Sequence, residues 1–386
     1  MSIIIAEKTI AGEQIAKALA QSEVKMHVHN NARYFTFLFE GVETIVLPLK
    51  GHVVEVDFPK NYSYWKGTDL ALLAKAPIDY NPSEPGIAYL LRSLGKDTKK
   101  VIVATDADRE GESIGVEALR IVQESNPSVP VARAYFSAMT PKELRKSFAE
   151  LTKVDFNLSD SADSRREIDL VWGAVLTRYL SLMANRMGKD FISAGRVQTP
   201  LLALIVNREK ERLAFKVETY WELVAHLKKS NIVFESYHKA GKIFDKDVAH
   251  KLFEKVRNEK TALVVKVSKK QRKITPPLPF STTQLLRAAS GLGFTAGMAM
   301  SIAENLYMRG FLSYPRTDNE TYPKTLELKE LLSTLSGEKA YSPFIETILS
   351  RPLHPTHGKE TTDHPPVHPV KLPSKSELSD KEWKIF

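Results

Sequence analysis

The chain has 386 residues, with 55 Lys and Arg against 46 Asp and Glu, a formal net charge of +9 and a pI near 9.3. It has no cysteine, which excludes disulfides, cysteine nucleophiles and thiolate zinc sites and fits an intracellular protein. No apolar run is long enough to span a membrane, and no basic segment precedes an apolar one at the N-terminus, so no signal peptide is read.

Ser2 to Ala6 is a short apolar β-branched run that reads as a buried strand, with Glu7 and Lys8 at its end. Ile15, Ala16 and Leu19 then fall at helical spacing within a helix from Gly12 to Ala20. Tyr34 to Phe39 and Thr44 to Leu47 read as a hairpin turning at Glu40-Gly41. A second buried strand, Val101 to Ala104, runs into Thr105-Asp106-Ala107-Asp108-Arg109-Glu110-Gly111-Glu112 and a helix from Ser113 to Val122. Val131 to Tyr135 is a further strand candidate, and Thr140-Pro141-Lys142-Glu143 opens a helix with Thr as N-cap and Pro at its first position. Residues 1–150 therefore predict one α/β domain with a partly parallel sheet.

Residues 151–213 are helical in pattern, interrupted from Ile192 to Gln198 and resuming from Pro200 to Glu211. Residues 214–272 predict a β-rich segment with strands at Tyr220 to His226, Ile232 to His238 and Ala262 to Val267, closed by a basic connector. Residues 273–386 predict a helical region from Ser281 to Arg309, a loop, and an irregular Pro- and His-rich stretch from Arg351 to Pro373. Ser379 and Glu382 form a capping box for a helix that the sequence leaves at under two turns, so the expectation is a fragment with more protein after Phe386.

Four carboxylates within seven residues at a strand end repel one another and call for a cation. Asp106 and Asp108, two apart, can point the same way in an extended segment, and Glu7 repeats their placement at the end of another strand. A hard divalent cation such as Mg²⁺ suits these oxygens; the alternative is a solvated acidic helix start. Lys8 is either a phosphate contact or a surface lysine.

Tyr314, in Gly310-Phe311-Leu312-Ser313-Tyr314-Pro315-Arg316, is a candidate phosphodiester nucleophile, with Arg316 placed to pair with the phosphate. By itself this is a weak signal, since most of the 13 tyrosines must be packing residues. Arg165, Arg166 and Asp169 lie on one helical face and suit either phosphate tracking or a salt-bridged surface. The loop Ser193-Ala194-Gly195-Arg196-Val197-Gln198 precedes a helix and suits either a backbone phosphate or a plain turn. His354, His357, His364 and His368 match no standard zinc spacing, and a single phosphate-contacting histidine is the better reading. No Gly-x-x-x-x-Gly-Lys-Ser/Thr run occurs, so nothing points to a nucleotide-driven motor.

Taken in order, these segments resemble a type IA DNA topoisomerase of the archaeal I/III kind. Ile4 to Lys8 and Thr105 to Glu112 resemble the Toprim signature of that family. Gly51-His52-Val53-Val54-Glu55 resembles its Gly-His segment near DNA. Arg165 to Asp169 and Ser193 to Pro200 match its DNA-binding segments. Pro279 to Thr282 and Gly310 to Asp318 match its nucleophile domain, and His364 stands where the family carries a DNA-contacting histidine.

The resemblance implies a multidomain α/β plus α fold, with a Toprim domain followed by helical and mixed segments of an incomplete toroid. It implies that Tyr314 attacks single-stranded DNA to form a 5′-phosphotyrosyl link and that Arg316, Lys8 and Glu7 assist. Asp106, Asp108 and Glu110 would hold Mg²⁺, with Glu7 as a further ligand. A second strand would then pass and the break reseal, without ATP, relaxing negatively supercoiled DNA or decatenating. It also implies a cytoplasmic, nucleoid-associated protein, with a helicase as candidate partner. Two rivals stay open: a Toprim nuclease or primase-like enzyme in which Tyr314 only packs, and a DNA-binding fragment without turnover.

Overall fold

The computed structural model describes residues 1–361 and 364–386; Thr362 and Asp363, inside the stretch expected to be irregular, lie outside the described residues. Two units emerge, Met1–Gly195 with Thr275–Phe386, and Arg196–Ile274.

In the first unit β1 (Ser2–Ala6) leads to α1 (Thr9–Leu19), then β2 (Lys25–His29), β3 (Ala32–Phe39) and β4 (Val42–Pro48). β5 (Val54–Asp57), the single-turn α2 (Leu70–Leu73), β6 (Asp79–Pro82), α3 (Pro85–Gly95), β7 (Lys100–Ala104), α4 (Arg109–Gln123), β8 (Val131–Arg133) and α5 (Pro141–Ala149) follow. The main sheet runs in the order β2-β3-β4-β1-β7-β8. The β4-β1-β7-β8 portion is parallel and the β2-β3-β4 portion antiparallel, as the partly parallel expectation required. The hairpin turn holds Glu40 and Gly41 at φ of 51° and 74°. β2 was not foreseen: Lys25-Met26-His27-Val28-His29 alternates polar and apolar residues over only five positions, and as an exposed edge strand it leaves Met26 and Val28 in solvent rather than in the core.

β1 is an inner strand, so Ile3, Ile4 and Ile5 are fully buried, and their side chains feed both faces. One face packs on α1 and α5 around Ile4, Ile15, Phe35 and Phe148. The other packs on α3 and α4 around Ile3, Ile5, Leu91 and Leu119. The register sets Ala6 of β1 beside Ala104 of β7, so the two chains leave the sheet together. Glu7 and Thr105-Asp106 are thereby neighbours, although 99 residues separate Glu7 from Asp106.

The long helix α6 (Phe156–Met183) completes the N-terminal portion, Asp155 capping it through the Leu158 N–H. After the second unit, the segment expected to be one helical region is two helices, α9 (Thr282–Gly291) and α10 (Ala296–Met308). The break has a local cause: Gly293 takes φ of 87°, and Thr295 caps the new helix through the Met298 N–H. α11 (Leu328–Leu335), α12 (Ser342–Leu349) and α13 (Asp380–Ile385) follow, with only isolated bridges among the described residues of the irregular stretch. Both bonds of the Ser379–Glu382 capping box are present. The short α13 is held by packing: Ile385 is buried in the core of α9 and α10, and Arg309 of α10 pairs with Glu382 at 3.0 Å.

The second unit contains α7 (Gln198–Ala214), the antiparallel hairpin β9 (Val224–Lys229) and β10 (Ile232–Tyr237), and α8 (Lys246–Val256), which Asp245 caps. The strand expected at Ala262 to Val267 does not form. These residues pair with no strand among the described residues, and Leu263, Val265 and Val267 stand exposed. Apolar content alone marked that run, and a strand also needs a neighbour to take its backbone hydrogen bonds.

Candidate active site

Glu7 and Asp106 meet at the carboxyl ends of β1 and β7, where open α/β sheets place their sites. The Asp106 N–H donates to Glu7 Oε2 at 3.3 Å. Lys8 Nζ lies 3.3 Å from Glu7 Oε1 and 3.6 Å from Asp106 Oδ2. Burial and the Glu7 carboxylate push the Asp106 carboxyl up to about 7, against the opposing pull of Lys8 and the Tyr307 hydroxyl. Burial works against the Lys8 ammonium, but Glu7 and Asp106 outweigh it and hold its pKa above the usual lysine value. Lys8 is therefore an integral cation of the site rather than a free surface lysine.

Asp108 is the N-cap of α4, its Oδ1 accepting the Gly111 N–H at 2.8 Å. Its Oδ2 accepts the Tyr314 hydroxyl at 2.5 Å. Gly111 belongs where it is because a Cβ there would come within 2.1 Å of the Asp106 carbonyl oxygen. Gly111→Ala should therefore cost about 2 kcal/mol of stability through backbone displacement, read as a lowered denaturant midpoint at unchanged slope.

Tyr314 enters from the far end of the chain. The turn after α10 brings its N–H to the Ser137 carbonyl at 2.9 Å and its ring into the sheet's core. Tyr307 lies edge-on to it with ring centroids 5.1 Å apart and donates its own hydroxyl to Asp106 Oδ1 at 3.0 Å. His364 packs on the other side of Tyr314 at 4.5 Å, its Nδ1 3.1 Å from Ser137 Oγ. Burial, with Asp106 and Asp108 nearby, raises the Tyr314 phenol far above the usual tyrosine value, so it rests neutral. Arg316 is turned to Glu304, at 2.5 and 2.9 Å, on the wall of a cleft of 670 Å³. Asp108, Glu110, Tyr135, Arg165 and Thr282 also line that cleft.

The remaining sequence candidates divide. Glu110 is exposed and pairs with His52 Nε2 at 3.1 Å, away from Asp106, and the His52 bond draws its pKa down against the effect of burial. His52 Nδ1 meets Glu117 at 2.9 Å; burial opposes its charge, but bonds to Glu110 and Glu117 raise it to about 9. Arg166 is tied to Glu117 and donates to the Val54 carbonyl at 2.7 Å, whereas Arg165 lies 4.0 Å from Asp169 and faces the cleft. Ala194 is latched to α6, its N–H donating to Thr177 Oγ1 at 3.0 Å. Arg196, Val197 and Gln198 are exposed at the start of the second unit. The fourth carboxylate of the acidic run, Glu112, turns inward to Arg133 at 2.8 Å.

Three residues escaped the sequence reading: Tyr307, Glu117 and Arg133. Seven-residue spacing was the available signal for one of them, since Glu110 and Glu117 share one face of α4.

Among the described residues no three acidic or histidine side chains close into a ready metal cage. The donors nevertheless suit a hard cation. Glu7 and Asp106 offer buried oxygens with Lys8 as their one ion-pair partner among the described residues, and an open site of one or two carboxylates leaves room for water and phosphate. Asp108 and Glu110 are engaged elsewhere, with Tyr314 and with His52.

Fold and site together bring a tyrosine hydroxyl against the acidic end of a parallel strand. The family profile described as Toprim domain matches residues 2–139, and that described as DNA topoisomerase matches residues 153–386. All of this chain aligns at 44% identity with 49% of the length of DNA topoisomerase 1 from Thermoplasma acidophilum. All of it also aligns at 43% identity with 56% of DNA topoisomerase 1 from Archaeoglobus fulgidus. The structure of topoisomerase I from Thermotoga maritima superimposes on 99% of this chain and 58% of that one, with a TM-score of 0.68 at 24% identity, which establishes likeness of fold. The chain belongs to the DNA topoisomerase family, in its type IA class. It spans about half the length of the curated relatives it matches.

Proposed function

We propose that this chain carries the cleavage centre of a type IA DNA topoisomerase, with Tyr314 as the nucleophile. The Tyr314 hydroxyl bonded to Asp108 at 2.5 Å carries the proposal, because it joins the predicted nucleophile to the acidic strand end across 206 residues. In this reading residues 1–150 form the metal-binding Toprim domain, 151–213 a DNA-binding helical part, 214–272 part of an arch, and 273–386 the nucleophile domain.

The phenol oxygen of Tyr314 attacks a DNA phosphorus, and its proton passes to Asp108, the acceptor already in place. The bond from phosphorus to the 3′ oxygen breaks, and the Lys8 ammonium, held by Glu7 and Asp106, supplies the proton that oxygen needs. Arg316 leaves Glu304 to pair with the phosphate and stabilise its charge. Resealing reverses these transfers. The energy of the broken ester is kept in the phosphotyrosyl link, so the cycle needs no ATP. Asp106 and Glu7 would hold Mg²⁺, with Glu110 when free of His52 and Asp108 when it does not carry the Tyr314 proton, and the ion would offset phosphate charge and position the strand.

Single-stranded DNA would enter along the cleft lined by Arg165 and Arg316, with His52 and Ser193 to Gly195 as further contacts; Arg196, Val197 and Gln198 stand as DNA contacts on the family resemblance alone. Relaxation of negatively supercoiled DNA, decatenation, a helicase partner and a nucleoid setting extend the same proposal to the whole protein. The direct test is to incubate the chain with 3′-end-labelled single-stranded DNA and Mg²⁺, quench with detergent, and look for labelled protein on a denaturing gel. Adduct mapped to Tyr314 is expected; binding without adduct favours the DNA-binding fragment. Arg165→Ala should weaken oligonucleotide binding about fivefold and lower the salt slope by about one, as measured by anisotropy at several salt concentrations.

A further inference from the structure

We infer that Arg133 and Tyr135 form a clamp, with Glu112 as counter-ion, that positions the acidic turn for its metal; the inference rests on the metal-site reading above. Arg133, the last residue of β8, is a guanidinium only 1% exposed. Its Nε donates to Glu112 at 2.8 Å. Its Nη1 donates to the carbonyls of Thr105 at 2.9 Å and Ala134 at 2.7 Å, and its Nη2 to that of Asp106 at 2.9 Å. The Tyr135 hydroxyl donates to the Ala107 carbonyl at 3.0 Å. Three consecutive carbonyls, 105 to 107, are thus pinned from beneath, across the stretch that aims Asp106 and Asp108.

A buried ion pair is weak evidence for stability, since well-packed apolar residues often serve as well. What apolar residues cannot do is satisfy three inward carbonyls at fixed angles. Lysine cannot do so either: it has three donors on one atom, against five in a planar fork. Glu112 completes the clamp, its second oxygen accepting the Asp155 N–H at 2.8 Å and so tying the turn to the start of α6. Neither Arg133 nor Tyr135 needs to touch metal or DNA for this role; both act through the backbone of the residues that do.

The test is a Mg²⁺ titration of the full chain followed by melting temperature, with oligonucleotide binding in EDTA measured in parallel. Arg133→Lys should raise the half-saturating Mg²⁺ concentration about tenfold, the scale of lost outer-shell support, while binding in EDTA stays within about twofold. Tyr135→Phe keeps the ring and loses one carbonyl contact, so it should give a shift of about threefold in the same direction. If Arg133→Lys does not fold, Tyr135→Phe decides. Half-saturation equal to the unmodified chain in a folded variant overturns the clamp, as does failure of both variants to fold, which would make the contacts supports of the fold alone. An unmodified chain whose melting is indifferent to Mg²⁺ overturns the metal-site reading instead, and the clamp with it.

Discussion

Tyr314→Phe should abolish covalent attachment to DNA, lowering cleavage of single-stranded oligonucleotide by at least about 10⁴-fold to background. The substitution removes one oxygen and leaves the ring in the core it shares with Tyr307 and Phe136. Asp108 keeps its capping bond from the Gly111 N–H at 2.8 Å, so α4 retains its start. Folding should be little changed, and a melting temperature within a few degrees of the unmodified chain separates lost chemistry from lost structure. Binding in EDTA should persist, because Arg165 and the cleft walls are untouched. The same variant decides between enzyme classes. In a nuclease or primase-like centre the acidic group would act alone and Tyr314 would only pack, so a folded Tyr314→Phe chain that still cuts in Mg²⁺ rejects the tyrosine mechanism.

Some of this architecture was visible in the sequence because local pattern and tertiary role coincide there. β1 and β7 are inner strands of the main sheet, so their β-branched runs are unbroken; acidic residues at their ends then stand out. The α5 and α13 caps were equally plain, since a cap is a contact over three residues. What stayed hidden depends on partners distant in the chain. β2 is an edge strand with its polarity set by solvent, and Ala262 to Val267 is as apolar as a strand but has none beside it. Within the acidic run, composition could not separate Glu112, drawn inward by Arg133, from Asp106, left facing Glu7. Arg166 likewise looks like a phosphate contact until Glu117, 49 residues earlier, is seen to hold it. The sequence shows which residues can do the chemistry, and the fold decides which of them are already engaged.

The state of Asp106 leads to the second large effect, on stability rather than rate. Its carboxyl is raised from 3.8 to about 7 by burial and by Glu7. A folded-state pKa above the unfolded one means that the native chain holds the proton more tightly over that interval. Stability from this group is therefore full below about pH 4, falls as pH rises toward 7, and levels off above. A shift of about three units corresponds to at most about 4 kcal/mol, and Asp106 is too buried for solvent to screen much of it. Asp106→Asn carries no charge at any pH, and its side-chain oxygen can still accept the Tyr307 hydroxyl. The metal-free variant should match the unmodified chain below about pH 4 and exceed it at pH 8 by up to that amount in denaturant melts. Mg²⁺ at pH 8 should close the gap by stabilising only the unmodified chain. Parallel pH profiles for the two proteins would mean that Lys8 already neutralises the pair. Divergent profiles that converge on adding Mg²⁺ would show that the native fold tolerates an uncompensated carboxylate because the working site contains a cation.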